Sequence, residues 1–161
     1  MKNIILIGMP GCGKTTIGKA LAEEKGLVFC DLDEYIEITN DKSIPQIFEN
    51  GEEAFRKIEK KALEQAVKNE NTVISTGGGI VKDEGNIEIL QKAGIVIFID
   101  RPLKNIISDV DTSNRPLLAE GKEKLYSLYN ERFGLYIACC HHRIINDSSI
   151  ENAVARIEQL I

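Results

Sequence analysis

Gly8-Met9-Pro10-Gly11-Cys12-Gly13-Lys14-Thr15 stands between an apolar run, Asn3 to Ile7, and an amphipathic stretch, Lys14 to Lys25. A strand, a glycine-rich turn with GxxxxGK[ST] spacing and a helix, in that order, make a P-loop. Its glycines let the backbone curl so that successive N–H groups point at phosphate, and the helix N-terminus adds partial positive charge. Lys14 is expected to reach the β- and γ-phosphates of ATP and the Thr15 hydroxyl to ligate Mg2+, with Gly11, Cys12, Gly13 and Thr16 completing the nucleotide site. Average composition produces this pattern by chance about once in two hundred chains of this length. Nucleotide binding therefore anchors everything that follows.

Outward from the loop, β-branched apolar runs recur at Leu27 to Cys30, Thr72 to Ser75, Ile95 to Ile99 and Arg143 to Ile145, with helical patterns between them. Runs of that kind suit strands buried on both faces, and alternation with helices means a parallel sheet. The expected fold is α/β: a three-layer α/β/α P-loop architecture around a five-stranded parallel sheet, one domain over residues 1–161. Ser43 to Lys68, bent at Gly51, reads as a helical insertion over the C-terminal edge of the sheet, where open α/β folds bind ligands. It belongs to an acceptor-binding region of about residues 32–62. Asp109 to Lys124 has the composition of a loop and reads as a mobile lid. A final helix starts near Ser148 or Ser149.

The 161 residues, 43% hydrophobic, can bury a core without disulfides, and the formal net charge of -5 disfavours nucleic acid as a partner. Anionic ligands then require a local convergence of a few basic side chains. The N-terminus enters a strand at once, and no apolar run approaches membrane-spanning length, so a cytoplasmic protein is expected. Cys12, Cys30, Cys139 and Cys140 follow no disulfide or zinc spacing and read as reduced thiols.

Three further groups carry chemistry. Asp31-Leu32-Asp33 ends the second strand, and strand alternation would turn both carboxylates to one side, Asp31 toward the magnesium shell and Asp33 toward an acceptor. Phe55-Arg56-Lys57-Ile58-Glu59 puts Arg56 and Glu59 at i,i+3 on a helix. Gly77-Gly78-Gly79 follows the third strand, and three consecutive glycines suggest close backbone approach to a ligand.

Together with Arg115-Pro116-Leu117-Leu118 and the Arg132-x-x-x-Tyr136 pattern, these motifs, in order over essentially the whole chain, resemble the shikimate kinases. The resemblance implies transfer of the γ-phosphoryl group of MgATP to the 3-hydroxyl of shikimate by a monomer. By the same resemblance Asp33 contacts the ring hydroxyls and serves as base, and Arg56, Arg132 and the backbone of Gly78 and Gly79 hold the carboxylate. It also makes Lys14 and Arg115 catalytic, Arg115 closing over the phosphates, and places Asp31 at the metal and Glu59 as the partner that orients an arginine. Where the family often carries an arginine shortly before the lid, this chain has Ser108-Asp109-Val110-Asp111, and Asn146-Asp147-Ser148-Ser149 lacks a proline common there.

The Cys12 thiol reads either as an inert filler of the loop or, next to Lys14 and a helix N-terminus, as a thiol that alkylating reagents reach and ATP protects. Cys139-Cys140-His141-His142 reads as a helix end running into the last strand, since adjacent ligands do not wrap one zinc. The other readings of the chain are a kinase for gluconate or a nucleoside monophosphate, and a non-catalytic nucleotide-binding module.

Overall fold

The computed structural model describes residues 2–112 and 119–161, with side chains for all of these except 110–112, 119 and 120. β1 (Asn3–Ile7) leads through the phosphate loop into α1 (Lys14–Lys25), and β2 (Val28–Asp31) runs into α2 (Leu32–Asn40), α3 (Ile44–Phe48) and α4 (Glu52–Ala66). β3 (Thr72–Ser75) is followed by a short 3-10 turn (Ile80–Lys82) and α5 (Glu84–Ala93). β4 (Gly94–Asp100), α6 (Leu103–Thr112), α7 (Ala119–Cys139), β5 (His142–Ile145) and α8 (Ile150–Glu158) complete the chain.

All five strands are parallel, in the order β2-β3-β1-β4-β5. Every residue of β1 is buried, because β3 and β4 flank it and helices cover both faces. The crossover from β1 to β2 runs one way along the sheet and the later crossovers run the other. Right-handed connection then puts α1 on one face and α5 and α7 on the opposite face; α8 packs on α1, and α5 on α7. The direction of the crossovers thus changes beside β1, and the crevice at the C-terminal ends of strands at such a point is where this class of sheet receives ligands.

Local signals account for the element ends. Gly26, at φ 65°, closes α1. Ser43 opens α3 with a reciprocal Ser43–Gln46 capping box, and Ser149 caps α8 through Asn152 N–H. Gly51, at φ 96°, separates α3 from α4 at the expected bend.

Two expectations need correction. β2 ends at Asp31, and Asp33 lies in the first turn of α2, so strand alternation is not what brings the two carboxylates together. Asp31 is instead the N-cap of α2, accepting from Glu34 N–H at 3.2 Å; a capping Asp favours helix directly after itself. The polar stretch Asp109 to Lys124 is not continuous loop either, since α6 extends to Thr112 and α7 begins at Ala119. Arg115-Pro116-Leu117-Leu118, and with it the centre of the expected lid, lies outside the described residues.

Candidate active site

The phosphate loop has three glycines with positive φ: Gly8 at 150°, Gly11 at 79° and Gly13 at 100°. At Gly8 a β-carbon would stand 2.5 Å from the Ile99 carbonyl oxygen, so glycine is required there by space as well as by φ. Lys14 is buried and folds back across the loop, its Nζ donating to the carbonyls of Gly8 at 2.7 Å and Met9 at 2.9 Å. Thr15 and Thr16 are exposed at the start of α1, and Thr15 Oγ1 donates to Asp31 Oδ2 at 3.0 Å. At Cys12 the filler reading is the one that fits. Its side chain is fully buried in the core, with Sγ 3.6 Å from Lys14 Nζ, so no thiol is presented to a reagent.

Asp33 enters the same cleft from α2. Burial raises its pKa first, and Asp31 adds to this, against the pull of Lys14 and Arg56. On α4, Arg56 pairs with Glu59 at 2.8 Å and with Glu52 at 3.4 Å. Glu59 is fully buried, its Oε2 has no hydrogen-bond partner, and burial lifts its pKa despite the arginine.

The three-glycine turn explains itself through neighbours rather than dihedrals, since none of Gly77, Gly78 and Gly79 has a positive φ. A β-carbon on Gly77 would meet both Asp33 Oδ1 and Glu59 Oε2 at 3.1 Å. On Gly78 it would meet Pro10 Cδ at 2.8 Å and Arg132 Nη1 at 3.2 Å, and on Gly79 it would overlap the Arg56 guanidinium. The turn thus lets two guanidinium groups and two carboxylates close around a bare backbone. Arg132, on α7, is 8% exposed, and its Nε has no hydrogen-bond partner. One turn on, the buried Tyr136 donates its hydroxyl to the Gly78 carbonyl at 2.5 Å and stacks on Phe98 at 5.0 Å between ring centroids. That contact fixes α7 against the turn.

A cleft of about 490 Å3 joins these parts, lined by Lys14, Thr15, Thr16, Asp31, Asp33, Gly77 and Gly78 together with Pro10, Gly11, Gly13, Ser75, Thr76, Arg101 and Asp109. Arg56, Gly79 and Arg132 stand against the glycine turn that forms part of its wall. Of the expected site residues, Arg115 alone falls outside the described residues. Sequence reading missed Arg101, whose Nη1 donates to the Gly11 carbonyl at 3.0 Å, and Asn146, whose amide donates to the Cys12 carbonyl at 2.9 Å. Both sit at or just past the end of a strand beside the loop; the recurring placement of polar residues after each strand was the available signal.

For a divalent cation, Thr15 Oγ1 and Asp31 Oδ2 offer hard oxygen donors side by side at the loop, the donor type Mg2+ prefers. Among the described residues no cluster of three or more His, Cys, Asp or Glu side chains could hold a metal ion. Cys139-Cys140-His141-His142 is the end of α7 running into β5, with Cys139 buried and His141 Nδ1 accepting from Val96 N–H at 3.0 Å. Among the described residues no helix is long and apolar enough to cross a membrane.

The family model described as Shikimate kinase matches residues 10–161. A shikimate kinase of Clostridium botulinum (strain Alaska E43 / Type E3) is 49% identical over all of this chain and 98% of that protein. Another, from Clostridium botulinum (strain Eklund 17B / Type B), is 51% identical over the same shares. Among solved structures, the Acinetobacter baumannii shikimate kinase in complex with shikimate superposes with a TM-score of 0.92 at 34% identity, covering 99% of this chain and 92% of that one. The likeness runs over essentially the whole chain in sequence and in fold, and the chain belongs to the shikimate kinase family.

Proposed function

We propose that this chain transfers the γ-phosphoryl group of MgATP to the 3-hydroxyl of shikimate. The observation that carries the reading is the convergence of Arg56 and Arg132 on Gly78 and Gly79, beside Asp33 and in one cleft with the phosphate loop. A planar guanidinium can bind a carboxylate through two parallel hydrogen bonds, and two guanidiniums on one side of a turn fit a ring acid better than a neutral sugar. The Arg132 Nε without a protein partner supports that assignment, since a buried donor of this kind calls for an acceptor.

In this reading the backbone of Gly11 to Thr16 cradles the polyphosphate, and Lys14 leaves its carbonyl partners to meet the β- and γ-phosphates. Thr15 and Asp31 would hold Mg2+, which when bound neutralises phosphate charge. Arg115 would close over the phosphates from the segment between α6 and α7, as the resemblance implies. Glu59 holds Arg56 in line for the carboxylate. Asp33 aligns the acceptor hydroxyl, and its raised pKa lets it take the proton as the new P–O bond forms. Phosphoryl transfer passes through a loose transition state, so alignment and charge neutralisation carry most of the acceleration.

The reading also takes the enzyme as monomeric and cytoplasmic. In support of the cytoplasmic reading, all four cysteines are free thiols. The test is ADP release from MgATP with and without shikimate, against a panel containing gluconate and nucleoside monophosphates. One ADP per shikimate phosphorylated is expected; turnover on another acceptor alone would leave the kinase and remove the pocket assignment.

A further inference from the structure

One residue past β4, the Arg101 side chain lies over the phosphate loop. Its Nη1 donates to the Gly11 carbonyl at 3.0 Å and pairs with Asp109 Oδ2 at 2.6 Å. Both residues line the cleft that Lys14 and Thr15 line. Arg101 is 22% exposed and Asp109 62%, so the cation is the seated member of the pair and the anion the solvated one. α6 closes on the same point of the loop, since a β-carbon at Gly11 would stand 3.2 Å from Ile106 Cγ2.

A guanidinium bound to a neutral carbonyl still needs an anion. Here Asp109 supplies it, across a cleft whose lining already includes Asp31 and Asp33. A polyphosphate entering beside Gly11 offers the same fork more charge and more oxygen acceptors than a single carboxylate. It also meets Asp109 as a like charge.

The geometry points to Arg101 as a second nucleotide-contacting cation beside Lys14, with Asp109 competing against the polyphosphate for it. This rests on the phosphoryl-transfer reading and adds a residue to it. Removing the arginine and removing the aspartate must then act in opposite directions on nucleotide affinity. A brace between the loop and α6 would make both removals act in the same direction.

The experiment is equilibrium binding of MgATP, without acceptor, to the full chain and to its R101Q, R101K and D109N variants, with thermal unfolding of each. R101Q is expected to weaken MgATP about tenfold, the scale of one charge-assisted contact. R101K should recover part of that loss, and D109N should tighten binding about threefold, as loss of an exposed competitor allows. In turnover, R101Q should raise KM for ATP and leave KM for shikimate unchanged. Weakening by both R101Q and D109N, with parallel losses of thermal stability, would overturn the proposal in favour of a brace. Unchanged affinity in R101Q would overturn it outright. Because binding is read without acceptor, absence of shikimate turnover in the unsubstituted chain would sink the proposed function separately.

Discussion

Residues 8–16 build the phosphate-loop end of the cleft from one contiguous stretch, whereas the proposed acceptor end draws Asp33 from α2, Arg56 from α4, Gly78 and Gly79 from the turn after β3, and Arg132 from α7. The first is shaped by backbone: three positive-φ glycines and a helix start. The second is shaped by side chains whose charges are buried together, at a cost in desolvation that nearby opposite charges offset only in part. Glu59 Oε2 and Arg132 Nε both lack hydrogen-bond partners there. At the phosphate end, by contrast, Lys14 Nζ has two carbonyls to rest on. At one end the buried cation is therefore satisfied within the protein, and the other end holds unmet hydrogen-bonding capacity. The ends touch where Gly78 passes Pro10 of the loop, leaving no room for a β-carbon.

Substitutions that separate the two ends sharpen this contrast. Lys14→Ala should have the largest effect, lowering kcat about a thousandfold while shikimate binding persists, because it removes a charge that acts on the transferring group. Steady-state kinetics with equilibrium shikimate binding checks it. Arg132→Ala should lower kcat/KM for shikimate about a hundredfold and leave MgATP affinity alone, since it strips one fork from the buried acceptor corner. Equal loss of nucleotide affinity in that variant would break the distinction between the ends.

Gly79→Ala should raise KM for shikimate about tenfold by displacing the Arg56 guanidinium. The atoms a β-carbon would meet are the tip of a flexible side chain, so little thermal stability should be lost. A calorimetric scan beside the kinetics separates the two effects.

The smallest effect concerns pH. Burial holds the carboxyl groups of Asp33 and Glu59 above their ordinary values of 3.8 and 4.5. Between those values and the raised ones the native chain binds more protons than the unfolded chain, so stability is greater on the acid side and falls as pH rises through this window. Glu59→Gln should flatten part of that slope in urea unfolding measured from about pH 4 to pH 7. A slope unchanged by the substitution would mean that Glu59 stays ionised throughout.

Legibility followed the same divide. Lys14 to Lys25 is read in sequence as helix and forms helix over the same residues, and the five strands fall within a residue or so of their apolar runs. β1, β3 and β4 are buried along nearly their whole length, so β-branching speaks for them without interference, and α1 shows its buried face at helical period. Asp31 and Asp33 were placed in the right cleft by the wrong route, because the strand gives way to a capped helix between them. The polar composition of Asp109 to Lys124 concealed the end of α6 and the start of α7. Arg101 carried no motif at all and acquires meaning only from the position of β4 beside β1.

By itself, then, the amino-acid order determined the phosphate loop, the strand set and the identity of the basic and acidic residues around them. Dihedral preference, glycine permissiveness and hydrophobic period act over a few neighbouring residues. Only the tertiary structure decided that Cys12 faces the core, that Tyr136 ties α7 to Gly78, and that Arg101 meets Asp109 over Gly11. Desolvation and charge pairing depend on distances between residues far apart in the chain, and those distances exist only after the sheet has set its strand order.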